Sequence, residues 1–150
     1  MAAIALTGDD SLNLMGHEFS EFASGNWFEM NPLTDAWSLS MGMGGNIHAN
    51  YNIEGEIWGG MLRIIRGGND DKFLNSYLQS SRINPIGMVM LAGVLTKRIG
   101  HGTGKISYER WVLKNGVYQR HVGITSAASG DAEVALTQYS FIFPAPIRAI

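Results

Sequence analysis

The sequence predicts a mainly β fold: an antiparallel β-sandwich or barrel with one short α-helix, built as a single domain over residues 1–150. Three observations predict it. Apolar and polar residues alternate with a period of two in "AWSLSMGMGG" (36–45), the spacing of a strand with one covered face. The 19 glycines are scattered along the chain, as turns and bulges between strands require. Only residues 69–82 carry an amphipathic helical pattern with a cap at one end and a proline stop beyond the other. With 150 residues and 45% apolar content, the chain is large enough for one real core.

Taken in order, "AIALTG" (3–8) reads as a short strand stopped by Gly8 and Asp9. Residues 12–30 read as strand, turn and strand, broken at "ASGN". In 36–45, Trp37, Leu39, Met41 and Met43 fall on one face, expected to be a core face, and Ser38, Ser40 and Gly42 fall on the other. "GGN" (44–46) marks a hairpin turn. The return strand is expected from about Ile47 to Arg66, bending at Gly55 or Gly59-Gly60. Tyr51, Ile53, Ile57 and Met61 share one of its sides; Asn52, Glu54 and Glu56 share the other.

A glycine pair then leads into the helix. Asn69 or Asp70 is its expected cap, and Asp70 and Asp71 suit its positive end. Phe73, Leu74, Tyr77 and Leu78 form one helical face, and Pro85 prevents continuation past Arg82. "MVMLAGVL" (88–95) reads as a buried strand, with a helix as the alternative. "KRIGHGTGK" (97–105) reads as a mobile basic loop. "ISYERWVLKNG" (106–116) and "VYQRHVGI" (117–124) read as a hairpin turning at Asn115-Gly116. "AEVALTQYSFIFPAP" (132–146) reads as the last strand, ended by Pro144 and Pro146.

Charge divides the chain more sharply than its net value of −2 suggests. Residues 1–62 hold eight Asp and Glu and no Lys or Arg; residues 63–150 hold all eleven Lys and Arg against five acids, giving −8 and +6. If the halves occupy different faces, copies can meet head to tail; if they interleave, the charges neutralise within one copy. Charged residues are only 16% of the chain, against roughly 25% in soluble domains, so more of the surface than usual needs a cover, and further copies of the chain are one candidate. The start "MAAIALTGDD" lacks the pattern of a signal peptide, and "IGMVMLAGVL" (86–95) is about half the length of a membrane span. A soluble product made in the cytoplasm is the expectation.

No chemistry is strongly encoded. The absence of cysteine excludes disulfides, thiolate metal sites and cysteine nucleophiles. "RGGND" (66–70) lacks the dinucleotide spacing, and "GHGTGK" (100–105) opens a strand where a phosphate loop opens a helix. His17, His48, His101 and His121 lack metal spacing. Glu54 and Glu56, about 7 Å apart on a strand, have a separation compatible with glycoside hydrolysis, but a solvated acidic face explains them better. Lys97, Arg98, Lys105, Arg110 and Arg120 suit either nucleic acid or a protein partner.

The order of these segments resembles the tail tube proteins of contractile-tailed bacteriophages and, by fold, their relatives in phage-tail-like particles and the Hcp tubes of type VI secretion. The resemblance runs through the hairpin "AWSLSMGMGGNIHANYNIEGEIWGGMLRIIR", the helix segment "GGNDDKFLNSYLQSS" and the closing strand "EVALTQYSFIFPAP". Phe73-Leu74 match the family's apolar pair, while its preceding Ser-Pro is missing. The resemblance implies hexameric rings whose strands join in a continuous inner β-barrel, stacked into a hollow tube inside a sheath. It implies DNA transit without specific binding, partners in the sheath, tape-measure and baseplate-initiator proteins, and a place in the virion tail after assembly in the host cytoplasm. Neither cofactor nor catalysis is implied, nor a membrane. Asn52, Glu54 and Glu56 would then face the lumen, where acidic groups repel DNA phosphates. Arg63, Arg66, Phe73, Leu74, Tyr77, Lys97 and Arg98 would meet neighbouring subunits or rings. The alternatives are another tail or baseplate ring protein, a secretion tube of the Hcp type, and a small β-barrel carbohydrate-active protein.

Overall fold

In a computed structural model, which describes residues 3–6, 8–124 and 135–150, the chain forms a sandwich of antiparallel sheets with one helix against it. One layer pairs β2 (His17–Glu18), β1 (Ser11–Leu14), β7 (Leu91–Gly100) and the first part of β8 (Ile106–Arg120). The other pairs the end of β8 with β9 (Leu136–Pro144), β6 (Ile57–Ile65) and β3 (Phe28–Pro32). β10 (Ile147–Ala149) adds to β8, and among the described residues β4 (Trp37–Met41) and β5 (Ile47–Tyr51) pair with each other alone.

β8 is the joint between the layers. It was expected to turn back at Asn115-Gly116, but it continues as one 15-residue strand through those residues. Asn115 does adopt positive φ (56°), yet the result is a bend. Before it, β8 pairs with β7; after it, with β9, across a register shift between Tyr118 and Arg120. A Cβ on Gly116 would enter the ring of Phe143, so glycine lets the bent strand lie flat on the core.

Other boundaries moved for similar reasons. Among its described residues "AIALTG" supplies one bridge, Ala5 to Gly100, and the first strand starts at Ser11. The β1–β2 turn uses Met15 and Gly16, both with positive φ, as a two-residue hairpin demands. The long return strand breaks into β5 and β6 at a turn around Gly55, whose φ is 107°. Lys97–Gly100 belong to β7, so the basic loop shrinks to residues 101–105. Pro144 ends β9 as expected, but the chain turns at Ala145 and adds β10. The start of the expected last strand, 132–134, lies outside the described residues.

The core lies between the layers: Leu12, Leu14, Leu62, Ile64, Leu91, Leu113, Tyr139, Phe141 and Phe143 are buried. Helix α1 (Asn69–Ile83) adds Leu74 and Leu78 to it. Its N-cap is Gly68, with no side-chain cap bond. The Glu21 carboxylate occupies the space a side chain at 68 would need, which explains the glycine where Asn69 or Asp70 was expected. The two aspartates instead anchor the first turn. Asp70 accepts hydrogen bonds from Nε2 of His17 (2.7 Å) and from the N–H groups of Ser20 (3.0 Å) and Glu21 (2.8 Å). Asp71 accepts from the Tyr139 hydroxyl (2.6 Å) and the Gly67 N–H (2.8 Å). One helix turn is thereby tied to the segment after β2 and to β9 at once.

Candidate functional site

The feature with the largest unmet demand is the β4–β5 hairpin. Its register places Trp37 opposite Tyr51, Leu39 opposite Ala49 and Met41 opposite Ile47 on one face. Ser38 faces Asn50 and Ser40 faces His48 on the other. The period-two reading of faces was therefore right, but among the described residues no core lies beneath the apolar face. Trp37 is 62% exposed, Met41 73% and Met43, at the tip, 96%. The tip is closed by one 3-10 turn, Met43–Gly45, where the Gly42 N–H donates to the Asn46 carbonyl (2.7 Å) and the Asn46 amide donates to the Met43 carbonyl. An isolated two-stranded hairpin is marginal in water, so an apolar face of this kind calls for a cover.

The second feature is a cleft of about 770 Å³ where the two layers splay apart. Phe28, Met30 and Trp58 line it from one layer, and Leu95, Trp111 and Leu113 from the other. Phe22 and Trp27, stacked with ring centroids 3.8 Å apart, close one side. Trp58 and Trp111 lie 5.5 Å apart. The charged groups in the cleft already have partners within the chain. Asp10 lies 3.6 Å from Lys97, and Glu109 accepts hydrogen bonds from Arg148 (2.6 Å) and the Trp111 indole (2.9 Å). The Arg148 bond, with the indole bond adding to it, holds the Glu109 carboxyl below its usual range despite partial burial.

The residues singled out in the sequence fall in several places. Asn52, Glu54 and Glu56 sit in the turn between β5 and β6, not on a strand face. Asn52 is a latch: its amide donates to the carbonyls of Asp35 (3.1 Å) and Gly55 (3.2 Å), and its oxygen accepts from the Glu54 N–H. Glu56 accepts a bond from the Trp58 indole (3.3 Å). The two-carboxylate geometry expected of a strand is thus replaced by a turn.

Arg63 donates to Gln138 across the β6–β9 pair, and Arg66 donates to the Leu136 carbonyl. With Arg120 and His121 they line a groove of about 450 Å³ on one outer sheet face. Leu74 has no exposed surface and serves the internal core, so it is unavailable to a neighbour. Phe73 and Tyr77 remain half-buried, with Phe73 stacked on His17 at 4.3 Å. Lys97 and Arg98 pair with Asp10 and Asp9, so the acidic and basic halves interleave here. Among the described residues, no three His, Asp or Glu side chains are grouped to hold a metal ion.

Sequence reasoning missed the aromatic cleft. Its tryptophans are 31 or more residues apart in sequence, and inward-facing aromatic residues look the same whether a cleft or a packed core receives them. The hairpin was found, but its environment was not.

No protein-family model matches the sequence, and no curated protein does. Solved structures do match in fold. A chain from the sheath/tube terminator of an extracellular contractile injection system in the extended state superposes with a TM-score of 0.63 at 12% identity, covering 94% of this chain and 93% of that one. A chain from the tube-terminating cap of the anti-feeding prophage gives 0.63 at 12% identity, with 93% and 87% covered. A chain from the sheath–tube complex of the extracellular injection system gives 0.61 at 9%, again with 93% and 87% covered. The chain shares its fold, nearly end to end, with components of contractile injection systems.

Proposed function

We propose that the protein is a structural subunit of the tube of a contractile tail or tail-like injection particle. Copies assemble into hexameric rings, and the rings stack into a hollow tube enclosed by a sheath. The single observation that carries this reading is the end-to-end fold likeness to chains of tube-terminator and sheath–tube assemblies. It is supported by a hairpin whose apolar face is uncovered in the isolated chain, a surface that fits assembly better than a monomer. The role is mechanical rather than catalytic. The sheath protein, a length-determining protein and a baseplate initiator are its partners, and the cargo of the lumen, DNA in a phage tail, passes without specific binding.

Negative-stain microscopy of the purified chain at increasing concentration tests this. Rings and open-ended tubes are expected. A monomer under all conditions, including with a tube-initiating complex, overturns the reading. A second reading, a terminator that closes the end of a tube, is favoured by the likeness to terminator and cap assemblies. It predicts a single ring that does not elongate and that stops the growth of tubes formed by another protein.

A further inference from the structure

From these two surfaces we infer that the aromatic cleft between the layers is the receptor for the β4–β5 hairpin of a second copy of this chain. The inference rests on the self-assembling reading above and names the contact that would carry it. The hairpin needs an apolar cover: Trp37, Leu39, Met41 and Ile47 are each more than 60% exposed, and their pairing puts Met41 beside Ile47 and Leu39 beside Ala49 on one face. The cleft offers such a surface, with Trp27, Trp58 and Trp111 around a volume of about 770 Å³.

Charge selects the same occupant. Residues 36–53 contain no Asp, Glu, Lys or Arg. An acidic or basic partner would find nothing on this arm to pair with. The cleft is matched to an uncharged guest, because Asp10 with Lys97 and Glu109 with Arg148 satisfy one another inside the chain. Methionine sulfur against indole rings adds a favourable contact and tolerates imperfect fit. The hairpin and the cleft are different surfaces, so the contact is heterologous. It repeats from copy to copy and either closes a ring or continues as a stack.

The chain has no cysteine, so a cross-link can be placed cleanly. Met43→Cys at the hairpin tip and Asn26→Cys at the cleft both replace exposed residues and leave the core untouched. The two single variants are mixed, assembled, and treated with a short thiol cross-linker. A Met43→Cys to Asn26→Cys dimer is expected, at least tenfold above the dimer between Met43→Cys and Lys114→Cys, which lies on an outer sheet face. Rings or tubes that form without the first cross-link overturn this contact and leave the tube reading standing. Failure of any assembly overturns both. A link that forms within one chain of the Met43→Cys, Asn26→Cys double variant at high dilution also overturns it, because the cleft would then hold its own hairpin.

Discussion

Nε2 of His17 lies 2.7 Å from Oδ1 of Asp70, joining β2 to the first turn of α1 across 53 residues of sequence. The carboxylate can only accept, so the imidazole donates through Nε2. The same carboxylate takes the N–H groups of Ser20 and Glu21, and the His17 ring stacks on Phe73 one turn along. Burial alone would push the Asp70 carboxyl up. The Glu21 N–H, the His17 bond and charge, and the Ser20 N–H together outweigh it and hold the group below its usual range. Asp70→Ala leaves these part-buried donors without their shared acceptor and should cost about 1–3 kcal/mol by chemical denaturation.

The pH dependence follows from the same shift. A carboxylate whose folded value is depressed contributes stability that is fully present above its unfolded value and is lost as pH falls through the folded one. Native stability should therefore hold through neutral and weakly acidic pH and fall below the usual carboxylate range. Denaturation midpoints measured across that range should show a shallower acid slope in Asp70→Asn than in the native chain. Equal slopes would remove Asp70 from the account.

Tyr139 gives the matching prediction on the basic side. Its hydroxyl is buried and donates to Asp71 at 2.6 Å, and burial, with the Asp71 carboxylate adding to it, pushes its ionisation well above the ordinary tyrosine range. Tyr118, whose hydroxyl donates to the Leu74 carbonyl, is raised chiefly by burial. Groups raised in the folded state give stability that is complete below their unfolded value and is lost as pH rises beyond it. Ultraviolet titration of the native chain should show fewer than the five phenolates present until the protein unfolds. Tyr139→Phe should cost about 1.5–3 kcal/mol, the worth of a buried hydrogen bond to a charged acceptor.

Much of the fold was legible because it is local. The alternation through Trp37, Leu39 and Met41, the helix from Asn69 and the stop at Pro144 each depend on neighbouring residues, and all three stand in the structure. What was illegible depends on distant partners. Asn115-Gly116 carries the chemistry of a hairpin turn, and only Phe143 and the β9 edge decide that it becomes a bend. The acidic trio looked like a strand face until Asn52 closed a turn on Asp35. The charge split is real in sequence, yet Arg98 with Asp9 and Lys97 with Asp10 show the halves crossing at β7.

Gly116→Ala tests the bend directly. The added methyl would enter the Phe143 ring, which is fully buried. Overpacking of this kind costs about 1–3 kcal/mol. Thermal melting of the variant should show that loss, and a shift within error of zero would mean that β8 can relax without the core.

The hairpin separates stability from assembly. Leu39→Asp replaces a side chain that is 70% exposed, so the melting temperature of the isolated chain should change little. If assembly buries that face, the same substitution places a charge in an apolar contact and should abolish rings and tubes. Arg98→Glu breaks one exposed pair outside the cleft, worth at most about 1 kcal/mol, and should leave assembly nearly intact. Salt discriminates between the two driving forces. Assembly through apolar burial should persist or strengthen as ionic strength rises, whereas contacts between the acidic and basic halves would weaken through screening. Light scattering of both variants across a salt series gives the answer: growth that fails on Arg98→Glu and survives Leu39→Asp would assign assembly to charge and remove the hairpin from it.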